Sequence, residues 1–211
     1  MKFGVLGSGD VARTLASGFL KHGHDVMVGS REPGKLGDWA KDNPKGKTGT
    51  FMQAAQFAQA IVLAVKGSAA SAALKMAGVP NLAGKTIIDA TNPIADAPPV
   101  NGVLKFYTTL DDSQLERLQK EFPAGNFVKA FNSVGAAEMV NPRFATRPTM
   151  FICGNDAAAK KMVTGILDQF GWETADMGKA ESARAIEPLC MLWCIRGFNE
   201  NKWDHAFKLL T

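Results

Sequence analysis

Little in this chain supports metal or nucleophilic chemistry. Its 211 residues hold three cysteines and three histidines. Cys153, Cys190 and Cys194 form an odd set without CxxC spacing, which argues against both a zinc site and a disulfide framework. Buried small hydrophobes are the expected role of all three. His22 and His24 flank a glycine at an expected helix end, His205 lies in the C-terminal tail, and none has a recognisable nucleophile partner. No apolar run approaches the roughly 20 residues of a membrane span. The net charge of +4 is not gathered into a basic run interleaved with aromatics, so a nucleic-acid groove is not indicated either. Met1 leads directly into the first strand without a basic and apolar leader. The expectation is a cytoplasmic chain with reduced thiols, no metal, no membrane and no nucleic-acid partner.

What is present is a core. With 46% hydrophobic and 21% charged residues, the chain can fold without staples, and its 21 glycines suit tight strand-to-helix turns. Phe3 to Gly7 is a short apolar run ending in glycine. The segment after it carries Val11, Leu15 and Phe19 at four-residue spacing, one helical stripe. Asp25 to Gly29 follows as a strand, completing a βαβ unit. Further strands are expected at Ala60 to Val65, Thr86 to Thr91, Asn126 to Asn132, Thr149 to Gly154 and Glu173 to Met177. Helices are expected at Pro33 to Lys41, Ser68 to Met76, Asp111 to Phe122, Ala157 to Phe170 and from Pro188 onward. The pattern predicts an α/β fold: a Rossmann-type, doubly wound, mostly parallel sheet over residues 1–150, with a small C-terminal α/β extension over 151–211 packed on it. Asn92 to Thr109, rich in proline, reads as a long loop placed to cover a ligand. The last helix is apolar nearly all round, with Leu189, Cys190, Trp193, Cys194 and Phe198 on one side and Met191, Leu192 and Ile195 on the other, which suggests a homodimer contact. Trp39 and Trp203 are expected to anchor surface segments.

Gly7-Ser8-Gly9-Asp10-Val11-Ala12 fits the G-x-G-x-x-A pattern of dinucleotide turns. Gly7 permits the turn, Gly9 admits the pyrophosphate to the backbone, and Ala12 keeps helix and strand close. The amides of the first helical turn donate to the phosphates. Asp10 stands where a helix N-cap is expected, and Ser8 is either a phosphate ligand or turn filler.

An acidic residue at the end of the second strand would bond the ribose 2′-hydroxyl and favour NAD. This chain has Ser30-Arg31 there. Arg31 lies 22 residues beyond Gly9, and its planar fork suits a 2′-phosphate stacked beside adenine. Lys35 adds a second cation, against the plainer reading of a surface helix residue. NADPH is therefore the expected cofactor.

Three segments together resemble the NADPH-dependent coenzyme F420 reductases and the cytosolic reductase domains of membrane ferric reductases: GVLGSGDVARTLASGFLKHGHDVMVGSREPGK, KAFNSVGAAEMVNP and FICGNDAAAKKMVTGILDQFGWETADMGKAESARAIEPL. The resemblance implies that Ser8, Gly9, Asp10 and Val11 match the phosphate turn and that Ser30, Arg31 and Lys35 match the 2′-phosphate site. Ala64 and Val65 would line the adenosine side. Asn92, Pro93 and the segment Asn132 to Ala136 would border the nicotinamide, with Asn132 and Ser133 as candidate orienting residues. Deazaflavin reductases of this kind often carry a histidine where this chain has Asn132, which leaves the acceptor open among coenzyme F420, a flavin or another small molecule. Two other functions stay in play: a non-catalytic NADPH-binding sensor or partner module, and an imine reductase akin to pyrroline-carboxylate reductase.

Overall fold

The structure, a computed structural model, describes residues 1–210; Thr211, the end of the expected extension, lies outside them. The strands are β1 (Lys2–Leu6), β2 (Asp25–Gly29), β3 (Lys47–Gly49), β4 (Ala60–Leu63), β5 (Thr86–Asp89), β6 (Asn126–Lys129), β7 (Thr149–Gly154) and β8 (Glu173–Asp176). They form one eight-stranded sheet in the order β3-β2-β1-β4-β5-β6-β7-β8. Neighbours run parallel except β6 and β7. The first six strands follow the order of a dinucleotide-binding fold, with the switch in direction between β1 and β4.

The helices are α1 (Asp10–Lys21), α2 (Gly37–Asp42), α3 (Phe51–Phe57), α4 (Ala70–Ala77), α5 (Gln114–Glu121), α6 (Ala157–Gln169), α7 (Ala183–Ile186) and α8 (Pro188–Glu200). One core layer gathers Leu15 and Phe19 of α1 with Val163 and Leu167 of α6. The other gathers Phe51, Leu74, Leu118 and Ile186 from α3, α4, α5 and α7. Helices on both faces explain why the central strands read as unbroken apolar runs.

Three elements absent from the expected pattern carry too few residues for periodicity to reveal them: β3, with three residues, α3, with seven, and α7, with four. Helix α3 has a local signal nonetheless. Thr50 accepts from the Gln53 amide while Gln53 Oε1 accepts from the Thr50 amide, a reciprocal capping box. The helix expected over Pro33 to Lys41 is split into a 3-10 turn, Pro33–Leu36, and α2.

Two expectations are corrected. Gly9, not Asp10, caps α1; Asp10 is the first helical residue, where its charge favours the helix dipole without capping an amide. Trp39 is buried in the core, with Nε1 donating to Ser17 Oγ at 2.9 Å, because α2 folds back onto α1.

The chain after α8 returns along it. His205 O accepts from Trp193 Nε1 at 2.7 Å, and Trp203 covers Gly197. Leu192 and Phe198 stay exposed at 56% and 46%. Among the described residues, no helix is long and apolar enough to cross a membrane, and no cluster of His, Cys, Asp and Glu suits a metal ion.

Candidate active site

The glycine turn leaves β1 at its C-terminal end. Gly7 has φ +146°, and a Cβ there would meet the Ala64 carbonyl at 2.3 Å, so the turn between β1 and β4 requires glycine. Gly9 differs: its backbone is extended and a Cβ would meet nothing within 4 Å. The space beside Gly9 is a cradle that a side chain would fill, which fits a pyrophosphate approaching the backbone.

Two adjoining cavities occupy this crevice. One, of about 250 Å³, is bordered by Gly7, Ser8, Gly9, Ser30, Arg31, Lys35, Ala64 and Val65. The other, of about 310 Å³, is bordered by Gly9, Asp10, Val11, Ala64, Val65 and Ala90. The expected turn residues, the two cations and the adenosine-side pair are thus brought together. Ala12 is buried beneath the turn. Ser30 is buried, and its Oγ accepts from the Glu32 amide at 3.1 Å, shaping the loop that presents Arg31 to solvent. Lys35 pairs with Glu32 at 2.9 Å on the surface, a contact weak enough for a phosphate to replace. A larger groove of about 930 Å³ runs along the other flank of α1, but it mixes Lys21 and Arg143 with Asp38 and Asp42 and excludes the glycine turn.

Asn92, Pro93, Asn132, Ser133 and Ala136 lie farther along, outside both cavities, at the carboxyl ends of β5 and β6. Asn92 Nδ2 donates to the Asn132 carbonyl at 2.8 Å, and Asn132 Nδ2 donates to Asn92 Oδ1 at 3.2 Å and to the Ile186 carbonyl at 3.0 Å. Asn132 Oδ1 is buried and has no partner among the described residues. Phe131, with φ +63°, turns the chain so that Asn132 faces Asn92; for a buried aromatic that conformation costs about 1–3 kcal/mol. Ser133 is buried beside this pair, and Ala136 opens a 3-10 turn.

What holds the asparagines is a set of buried charges that sequence reasoning missed. Lys129 is fully buried, with Nζ 2.6 Å from Asp89 Oδ2, 2.9 Å from Glu187 Oε1 and 2.9 Å from the Thr91 carbonyl. The Asp89 Oδ2 contact is a charge contact without hydrogen-bond alignment. Asp89 Oδ1 accepts from the Thr91 amide and hydroxyl at 2.9 and 2.7 Å, fixing the residue before Asn92. Glu187 accepts from the amides of Gln114 and Leu115, so α5 is bound into the same knot. Burial alone would lower the Lys129 pKa, yet the two carboxylates outweigh it and hold the ammonium above the ordinary lysine value. The available signal was one charge in each of two adjacent apolar runs, TIID and NFVK, since Asp89 and Lys129 turn out to be register partners.

The other titratable groups are engaged elsewhere. His22 meets Asn141 Oδ1, His24 meets Gln169 Oε1, and His205 meets the Trp193 carbonyl. Tyr107 donates to Gln114 Oε1, and burial with the nearby Glu187 charge pushes its pKa up to about 12. Burial likewise raises the Cys153 thiol to about 12, while the neighbouring Cys194 and burial push Cys190 up, so both behave as inert core thiols.

Comparison with known proteins agrees with this fold. Residues 2–93 match the family described as NADP oxidoreductase, coenzyme F420-dependent. The crystal structure of a candidate F420-dependent NADP-reductase from Arthrobacter sp. fb24 superposes with a TM-score of 0.93 and 33% identity, covering 100% of both chains. The chain belongs to this family of NADP oxidoreductases. Rat metalloreductase STEAP3 is 34% identical over 198 residues, 89% of this chain but 36% of its own length; the chain spans about a third of the curated relatives it matches. An Aspergillus terreus reductive aminase in complex with NADPH shares the fold at a TM-score of 0.68 and 23% identity, covering 95% of this chain and 63% of that one. The chain thus has the Rossmann-type sheet of a family whose members are described as NADP oxidoreductases.

Proposed function

We propose that this protein is an NADPH-dependent reductase whose hydride acceptor is a planar redox ring, a deazaflavin such as coenzyme F420 or a flavin. The observation that carries the cofactor reading is the loop Ser30-Arg31 with Lys35, which borders the same cavity as the glycine turn. Arg31 stands where an acidic residue would serve NAD, and Glu32, which borders the same cavity, is paired with Lys35. NADPH supplies the hydride at its nicotinamide ring. The protein's part is to bind and orient: Gly9 and the amides opening α1 take the pyrophosphate, Arg31 and Lys35 the 2′-phosphate, and Asn92 with Asn132 the polar edge of the nicotinamide. The buried Asn132 Oδ1, which lacks a partner among the described residues, is the acceptor this reading assigns to a carboxamide N–H.

The chemistry of the donor set supports a ring acceptor. The ends of β5 and β6 offer Asn, Ser and Thr, while the histidines are engaged elsewhere. Transfer between stacked rings needs alignment more than a protein acid. An imine acceptor calls for a proton donor, and the Lys129 ammonium at these strand ends is fully buried and held between Asp89 and Glu187. We also propose a homodimer through Leu192 and Phe198 of α8, and residence in the cytoplasm.

The decisive assay follows NADPH absorbance against coenzyme F420, FMN, FAD, ferric chelates and cyclic imines. Turnover with F420 or a flavin is expected. Tight NADPH binding without turnover on any of them would make the protein a sensor, and turnover on cyclic imines alone would make it an imine reductase. In titrations, Arg31→Ala should abolish most of the preference for NADPH over NADH.

A further inference from the structure

Arg13 lies in the first turns of α1, on the ridge between the crevice and the groove on the other flank. Asp38, Asp42 and Glu138 border that groove, yet among the described residues Arg13 makes no ion pair with them. Its guanidinium is spent on two backbone carbonyls. Nε donates to Ser8 O at 3.0 Å, and Nη2 donates to Lys35 O at 2.9 Å. The first acceptor belongs to the glycine turn and the second to the end of the loop after β2.

That loop is tied internally at two points: Glu32 N donates to Ser30 Oγ at 3.1 Å, and Lys35 N donates to Glu32 O at 3.0 Å. Ser30 is in turn fixed to the sheet, its amide donating to the Gly49 carbonyl at 3.0 Å. One end of the loop is therefore set by β3 and the other by Arg13.

We propose that Arg13 is a positioning residue for cofactor choice, a clamp that sets the distance between the pyrophosphate turn and the 2′-phosphate loop. Resting on the reading that Arg31 and Lys35 receive the 2′-phosphate, the proposal adds what places them. In NADPH the pyrophosphate and the 2′-phosphate are joined by a single ribose, so the two subsites must stay in register. A planar guanidinium bridging one carbonyl from each subsite enforces that register, because its donors are fixed relative to one another. A lysine at this position keeps the charge but lacks the fork.

The test is the ratio of dissociation constants for NADPH and NADH, titrated into the full chain as wild type and as R13A, R13K, R31A and S17A. R31A is expected to collapse the preference. R13A and R13K should each reduce it about tenfold, chiefly through weaker NADPH binding. S17A removes the Trp39 tie between α2 and α1 without touching Arg13 and should leave the ratio unchanged. In an R31A background, where the preference is already collapsed, R13A should cause little further loss, since the clamp acts through the loop that carries Arg31. R13K at the wild-type ratio would show that charge alone matters and would overturn the clamp. So would R13A at the wild-type ratio while R31A loses preference. R31A without effect would instead refute the 2′-phosphate reading itself. If R13A does not fold, R13K and R13Q carry the same test.

Discussion

Gly7 and Gly9 sit two residues apart in one motif and answer to different physics. Gly7 is required by the fold, since its φ is positive and the Ala64 carbonyl lies 2.3 Å from where a Cβ would be. Gly7→Ala should destabilise the protein by at least ~2 kcal/mol, read from urea melts with and without NADPH. Gly9 has open space where a Cβ would be, and the proposed function gives that space to the pyrophosphate. Gly9→Ala should keep the wild-type melting midpoint and lose NADPH affinity on the order of tenfold or more by fluorescence titration. Equal stability losses in the two variants would contradict this division. At the same scale, Arg31 was legible because its spacing from Gly9 is a rule of the fold, whereas Arg13 was not, because its acceptors are backbone atoms 5 and 22 residues away.

At the scale of elements, buried and half-exposed charges fasten the helices to the sheet. Lys129 of β6 pairs with both Asp89 of β5 and Glu187 at the start of α8. Lys129→Met fills the same space and leaves two buried carboxylates without a cation, so a loss of about 3–5 kcal/mol is expected in chemical denaturation. The folded-state pKa of Lys129 is raised above its ordinary value of 10.5, so its contribution is whole below that pH and fades only as pH rises through the folded value. Neutral and mildly acidic conditions leave it untouched. Glu116 of α5 behaves oppositely. Its hydrogen bonds to Arg184 of α7, at 2.6 to 3.2 Å, and to Ser113 hold its carboxyl below 4.5. That stabilisation is present above 4.5 and is lost as pH falls through the folded value. Melting midpoints measured from pH 7 down to 3 should therefore fall less steeply for Glu116→Gln than for the wild type. Parallel curves would rule the pair out as a source of acid sensitivity. Helix α3 and strand β3 belong to this scale too: short elements carry no period, and only the Thr50 and Gln53 pair marked one of them.

For the whole molecule, one continuous sheet places the glycine turn, the Ser30 to Lys35 loop and the Asn92–Asn132 pair along the same carboxyl edge. The long loop after β5 meets that edge at an exposed ion pair between Asp96 and Lys66. The returning C-terminal segment covers one side of α8, and exposed Leu192 and Phe198 remain. Light scattering at micromolar concentration should report a dimer, and Leu192→Glu with Phe198→Glu should return a monomer with the same fold. A wild type that is monomeric under those conditions would defeat the homodimer.

The sequence by itself determined the layer architecture and pointed to the cofactor end of the crevice. Both are written in local pattern: apolar period, glycine turns, and a basic residue at a set distance from the turn. The tertiary structure alone decided the rest. Asp89, Lys129 and Glu187 are far apart in the chain and become one buried charge group only when β5, β6 and α8 meet. Asn92 and Asn132, 40 residues apart, become a pair only through the left-handed turn at Phe131. Trp39 becomes core because α2 folds onto α1. In each case the deciding energy is burial against a partner distant in sequence, which no local window contains.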